Sequence, residues 1–251
     1  MNFLLVDNSN TRTKFATASA EKLSGWTSIL STEEISEKSL TDLLSGQSWD
    51  AAVVSSVVPD KAKILSAFLS EHSSCHLLSH RSELPIGIDY PNPEQIGADR
   101  LANAAAAFTY YGAPCVVLDF GTAVTFDVIG LTDGKALYQG GVIAPGLASM
   151  TEGLAHRTAL LPHIDLEEPK HAIGRSTEEA MLSGAIHGYR GLVREIISQI
   201  STELSAEPII VATGGDAAMI TRGLPEIRHH SPQLTLDGLR IIANLQTHEF
   251  I

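Results

Sequence analysis

Leu4-Leu5-Val6-Asp7-Asn8-Ser9-Asn10-Thr11-Arg12-Thr13 lies without a gap over Val116-Val117-Leu118-Asp119-Phe120-Gly121-Thr122-Ala123-Val124-Thr125. In each stretch an apolar run stops at an aspartate. One residue follows, then a small residue and a polar one, and the chain returns into a new apolar alternation. Such a run reads as a short buried strand and the return as the second arm of a hairpin. Recurrence of the whole pattern in both halves points to an internal duplication and two related lobes, 1–112 and 113–251.

Paired turns of this kind suit a triphosphate. Small residues let backbone N–H groups come close to phosphate oxygens. An aspartate at a strand end can hold Mg²⁺, usually through water, because that ion gives up its hydration shell reluctantly.

Working outward, 13–19 reads as the return strand of the first hairpin, 33–44 as a helix capped from Ser31-Thr32, and 51–54 as a buried strand. A helix over 60–69 begins near Pro59, a strand covers 75–78, and the Ala-rich stretch 94–110 is helical. In the second half, strands are expected at 116–118, 124–129 and 136–143, helices at 146–156 and 177–200, and a strand at 208–212. Helical tails follow Gly215 and Asp237. The class is α/β, with mixed sheets flanked by helices.

Across 251 residues, 44% are hydrophobic and 18% charged, a balance that supports a folded core and excludes a disordered chain. A net charge of −12 without a Lys/Arg cluster argues against nucleic acid as a partner. No apolar run is long enough to span a membrane, and the N-terminus lacks the basic and apolar regions of a signal peptide. The two cysteines, Cys75 and Cys115, have no metal-ligand spacing and read as buried thiols of a reducing compartment, so a cytoplasmic protein is expected. The ten histidines are scattered and read as surface or capping residues.

Two further segments carry chemistry. Ile209-Ile210-Val211-Ala212-Thr213-Gly214-Gly215-Asp216-Ala217 is a late strand ending in a Gly-Gly turn. Tyr90-Pro91-Asn92-Pro93-Glu94-Gln95-Ile96-Gly97-Ala98-Asp99-Arg100 is kept extended by its prolines and then enters a helix near Asp99. Phosphoryl transfer to an alcohol needs a carboxylate that orients and deprotonates the hydroxyl, the rest being positioning and charge neutralisation. The adjacent arginine suits bidentate recognition of a carboxylate. Read alone, the pair is equally a helix-capping acid and a solvated cation.

The two aspartate turns and the Gly-Gly turn resemble the phosphate-1, phosphate-2 and adenosine motifs of the actin, sugar kinase and Hsp70 superfamily. With Tyr90 to Arg100 and Gly140-Gly141-Val142-Ile143-Ala144-Pro145-Gly146 added, the ordered set closely resembles type III pantothenate kinase across essentially the whole chain. That resemblance implies two ribonuclease H-like lobes with the active site between them, and ATP-dependent phosphorylation of pantothenate to 4′-phosphopantothenate, the entry to coenzyme A.

Carried over by position, the resemblance makes Asp99 the general base. Tyr90, Gly97, Ala98, Arg100 and Thr177 would bind pantothenate. Asp7, Asn8, Ser9, Asn10, Thr11, Arg12, Thr13 and Lys14 would form the first ATP loop, with Gly121, Thr122, Gly214 and Gly215 completing the nucleotide site. Asp7 would serve Mg²⁺ through water, and Asp119 a monovalent cation, K⁺ or NH4⁺. A homodimer is also implied.

One position departs from the family pattern: Ser9 stands where the first loop usually has glycine. If that turn needs a positive φ, serine is strained there by about 1 kcal/mol or more, unless Asn8 takes the left-handed position. Two decoys are set aside. Asp119-Phe120-Gly121 lacks the other loops of a protein kinase, and 130–136 lacks the spacing and hydroxyl residue of a P-loop. Two other readings share the superfamily motifs: a sugar-type kinase, disfavoured by the Tyr90-to-Arg100 segment, and a non-catalytic ATP-binding regulator, disfavoured by Asp99.

Overall fold

The computed structural model describes residues 1–204 and 206–250, with Arg157 and Glu249 described by their backbone alone. The chain divides into two compact units.

The first unit opens with β1 (Asn2–Asn8), β2 (Arg12–Ser19) and β3 (Leu23–Ser31), continues through α1 (Glu37–Leu44), β4 (Ala51–Ser56), α2 (Pro59–Ser70) and β5 (Ser74–Leu77), and reaches β6 (Gly87–Ile88) and α3 (Ala98–Tyr111). Its sheet runs β3-β2-β1-β4-β5. The first three strands are antiparallel neighbours, and β4 and β5 join parallel to β1. Continuous apolar runs explain the central strands: Phe3 to Val6 and Ala51 to Val54 are wholly buried, as strands covered on both faces require. Leu4, Val6, Phe15, Leu40, Val54 and Leu65 form one core cluster.

The second unit contains β7 (Cys115–Phe120), β8 (Ala123–Thr132), β9 (Lys135–Pro145), α4 (Ser149–Arg157), α5 (Thr177–Leu204), β10 (Ile209–Gly214), α6 (Ala217–Thr221) and β11 (His229–His230). Residues 135–138, the start of β9, group with the first unit, where β6 pairs with them. Strand order here is β9-β8-β7-β10-β11, with β7 and β8 antiparallel and β10 parallel to both β7 and β11. This order repeats that of the first unit strand for strand. The duplication read from one aligned decapeptide therefore extends over both sheets. Val116, Leu118, Phe126, Ile186, Tyr189 and Leu224 lie in the core of this unit.

The final helix, α7 (Leu234–Leu245), was expected in the second lobe as part of 113–251, but the segment from Gln233 onward groups with the first unit. Its apolar face buries Leu234, Leu239 and Ile242. Thr235 donates from Oγ1 to Asn103 Oδ1 of α3 (2.8 Å), and Arg240 donates to the Ala20 carbonyl (2.7 Å) and the Tyr110 hydroxyl (2.9 Å). The alanines of α3, buried at 102 and at 104–107, let the two helices approach closely.

Local boundaries differ from the sequence expectations for identifiable reasons. The expected helix over 33–44 begins only at Glu37, because Ser36, not Ser31-Thr32, supplies the cap through a reciprocal pair with Ser39. The expected helix 94–110 is broken at Ile96-Gly97: residues 93–95 form a short 3₁₀ turn and α3 starts at Ala98. The helix expected from 146 begins at Ser149, and the one after Gly215 is a single short turn, α6. Strand β3 carries no long apolar run to announce it: it is an edge strand in which Leu23, Trp26, Ser28 and Leu30 are half-buried and the residues between them exposed.

Candidate active site

In the first unit, Asp7 sits one residue before the end of β1, opposite Lys14 of β2. Asp7 is 3% exposed; Ser9 Oγ donates to its Oδ1 at 3.4 Å, and Lys14 Nζ lies 3.7 Å from Oδ2. Asn8, the last residue of β1, is buried and acts as the clasp of the turn. Its Nδ2 donates to Thr13 Oγ1 (2.7 Å) and its Oδ1 accepts from Ser56 Oγ (2.6 Å). Thr32, just after β3, donates from Oγ1 to the Ser9 carbonyl (2.7 Å) and from its backbone N–H to the Thr11 carbonyl (3.0 Å). Asn10, Thr11 and Arg12 are left exposed on the outer rim, with Ser9 and Lys14 half-buried.

Asn8 and Thr13, expected among the nucleotide contacts, direct their side chains into the turn, where both are buried and committed to each other. Among the described residues, Asp133 alone of the non-glycines has a positive φ. Neither Ser9 nor Asn8 is left-handed, so the strain that a serine at position 9 would suffer in such a turn does not arise.

The second-unit turn is built differently. Asp119 again precedes the last residue of its strand, and Gly121 and Thr122 are exposed at the tip. Support comes from backbone. Gly121 N–H donates to the Ala123 carbonyl (3.0 Å) and Gly146 N–H to the Thr122 carbonyl (3.2 Å). A Cβ on Gly146 would collide with the carbonyls of Gly121 and Thr122. Gly214 lies beside Phe120 in the parallel β7–β10 register, at φ +95°, and a Cβ there would fall 2.5 Å from the Phe120 backbone N and 2.6 Å from Asp119 Oδ1. Asp216 N–H donates to the Phe120 carbonyl (3.3 Å), and burial pushes the Asp216 carboxyl above its ordinary range. The Gly-Gly turn is thus stacked directly on the second aspartate turn, while Gly215 faces open space.

The acceptor segment is assembled within the first unit. Asp99 is the second residue of α3; its Oδ1 accepts from the Arg100 N–H at 2.8 Å, and a Cβ on Gly97 would meet that same oxygen at 2.6 Å. Tyr90 packs edge-on to Tyr138 (centroids 6.2 Å apart, 70°), and the Arg100 guanidinium lies over the Tyr138 ring at 5.8 Å. Gly97 and Ala98 line a groove of about 870 Å³ with Ser56, Val57, Ser66 and His80. Thr177 belongs to the second unit, at the first residue of α5, on a groove of about 540 Å³ shared with Met150, Leu154 and Met181.

Ser56 and Tyr138 were not named from the sequence, and Thr32 was named only as a helix cap. Tyr138 had one available signal, its place two residues before Gly140-Gly141. Thr32 and Ser56 had none, being ordinary hydroxyl residues whose bonds to Ser9 and Asn8 span 23 and 48 residues.

The sequence profile of the family described as type III pantothenate kinase matches residues 3–199. A type III pantothenate kinase of Akkermansia muciniphila is 57% identical over 245 residues, which cover 98% of this chain and 99% of that one. Among solved structures, a Campylobacter jejuni protein assigned to the Baf family of transcriptional activators superposes with a TM-score of 0.64 at 19% identity, covering 98% and 99% of the two chains. The ADPNP-bound activator of 2-hydroxyisocaproyl-CoA dehydratase from Clostridium difficile gives 0.53 at 8% identity, covering 99% and 97%. The structural likenesses, at such low identity, speak to the shared α/β fold alone; the profile and the full-length relative carry the assignment, and by them the chain belongs to the type III pantothenate kinase family.

Proposed function

We propose that the chain transfers the γ-phosphoryl group of ATP to the primary alcohol of pantothenate, giving 4′-phosphopantothenate and ADP, the step that opens coenzyme A synthesis. The observation that carries this reading is Asp99, whose carboxylate is oriented at the start of α3 by its neighbour's N–H, with Arg100 beside it. In the step, the alcohol proton passes to Asp99, the alcohol oxygen bonds to the γ-phosphorus, and the bond from that phosphorus to the bridging oxygen of ADP breaks.

Arg100 and Tyr90 hold the acceptor, Arg100 by its two-pronged match to a carboxylate. Lys14, Ser9, Asn10, Thr11 and Arg12 are triphosphate contacts. Gly121, Thr122, Gly214 and Gly215 are nucleotide contacts, and Thr177 is an acceptor contact. Asp7 and Asp119 fit ions bound largely through water and phosphate oxygens. Among the described residues no three His, Cys, Asp or Glu side chains converge as a closed metal cage would need. Bound there, Mg²⁺ at Asp7 and K⁺ or NH4⁺ at Asp119 would neutralise triphosphate charge.

We place the protein in the cytoplasm as a homodimer. Two free thiols support the compartment. Among the described residues no helix is long and apolar enough to cross a membrane.

The test is ADP release with pantothenate, ATP, Mg²⁺ and K⁺. Asp99→Asn should lower kcat by roughly 10²–10⁴, the range for a lost general base. Wild-type turnover that survives this substitution unchanged would return Asp99 to a structural role, and absence of any turnover with pantothenate would sink the acceptor assignment.

A further inference from the structure

Tyr138 is wholly buried, yet it touches both acceptor-side residues named from the sequence. It lies in β9, where its carbonyl accepts from the Asp89 N–H at 2.9 Å and its register partner is Ile88, so the strand also sets the course of the segment leading to Tyr90. The ring presents its face to the Arg100 guanidinium, 5.8 Å away, and packs nearly perpendicular to Tyr90. A single side chain from β9 thus braces two others, one from the extended segment after β6 and one from the first turn of α3.

An arginine side chain has many rotamers, and holding it in one geometry before ligand arrives reduces the entropy lost on binding. A guanidinium over an aromatic face keeps its N–H donors directed outward in the guanidinium plane, the orientation a carboxylate needs. The attraction is greater where water is excluded, and this ring is fully buried.

We propose that Tyr138 is a positioning residue for acceptor recognition: through Arg100 and Tyr90 it sets the affinity for the carboxylate end of the acceptor, and leaves the phosphoryl-transfer step to Asp99. This rests on pantothenate being the acceptor. It distinguishes itself from a merely core-filling tyrosine by being selective, since it predicts a defect tied to one substrate and one functional group.

Steady-state kinetics of the full chain test it with pantothenate and with the analogue bearing a neutral amide in place of the carboxylate. Tyr138→Leu should raise the pantothenate KM about tenfold, the loss expected for a partly desolvated cation–π contact together with its edge-on ring pair. The KM for ATP and kcat should stay within about twofold, and the neutral amide should lose little. Tyr138→Phe, which keeps the ring, should restore the pantothenate KM to within about threefold of wild type. Should the leucine variant fail to fold, fluorinated phenylalanines at 138 drain the π face while nearly keeping its shape, and KM should rise with each fluorine. Equal losses on both acceptors, a fall in kcat at constant KM, or a flat fluorine series would each overturn the proposal while the acceptor assignment stands. A wild-type protein inactive on pantothenate would remove that assignment, and this inference with it.

Discussion

The two aspartate turns began as the same ten-residue pattern and have been made rigid in opposite ways. In the first, side chains do the holding: Asn8, Thr13, Thr32 and Ser56 form a buried hydrogen-bonded knot under an exposed rim. In the second, backbone does it: Gly146 and Gly214 press main chain against main chain around Gly121, Thr122 and Asp119. The hairpins also differ in length. Asn8 pairs with Thr13, leaving Ser9 to Arg12 in the bend, whereas Phe120 pairs with Val124, leaving Gly121 to Ala123. A gapless alignment of the decapeptides hides this step, and it moves Lys14, not Thr13, opposite Asp7. A duplicated element can keep its topology and its aspartate while replacing everything that stiffens it.

If that contrast holds, the largest stability effect should come from Gly214→Ala. An alanine there must adopt φ near +95° and push aside the Phe120 backbone, with no flexible side chain to yield. A loss of about 3 kcal/mol or more is expected, seen as a fall in Tm on the order of 10 °C together with weaker ATP binding. A variant melting within 2 °C of wild type, by about the precision such a comparison needs, would show that the second turn tolerates side chains after all.

Asn8→Ala should rank next. It strips partners from Ser56, Thr13 and Thr32 inside a buried network, which costs about 1.5–3 kcal/mol. Thermal melts and ATP titration should move together, because the same knot shapes the rim. Unaltered ATP affinity in a destabilised variant would separate the knot from the phosphate loop.

Ser9→Gly should do least. No positive φ is relieved, and the added glycine freedom should cost no more than about 1 kcal/mol. ATP KM should stay within about twofold. A many-fold improvement would mean that the serine strains the turn when nucleotide is bound.

Much of the site was legible because its chemistry is local. An aspartate closing an apolar run, a Gly-Gly after a late strand and an Asp-Arg at a helix entry are each set by a few neighbouring residues, and the structure places Asp7, Asp119, Gly214 and Asp99 at those positions. Where α3 starts was less legible, since Pro93 to Gln95 can satisfy a helical pattern for one turn before Gly97 resets it. Tyr138 looked like one more strand aromatic.

By itself, then, the sequence determined the repeated strand–aspartate–turn units, their order along the chain and the acids and cations that chemistry requires, because periodicity and turn preference act over a handful of residues. Tertiary structure alone decided that Thr32 and Ser56 brace the first turn, that Gly214 rests on Asp119, that Tyr138 reaches Arg100 and that α7 returns to the first unit. Those contacts join residues far apart in the chain, and which of them meet depends on strand order and helix packing, to which local pattern is blind.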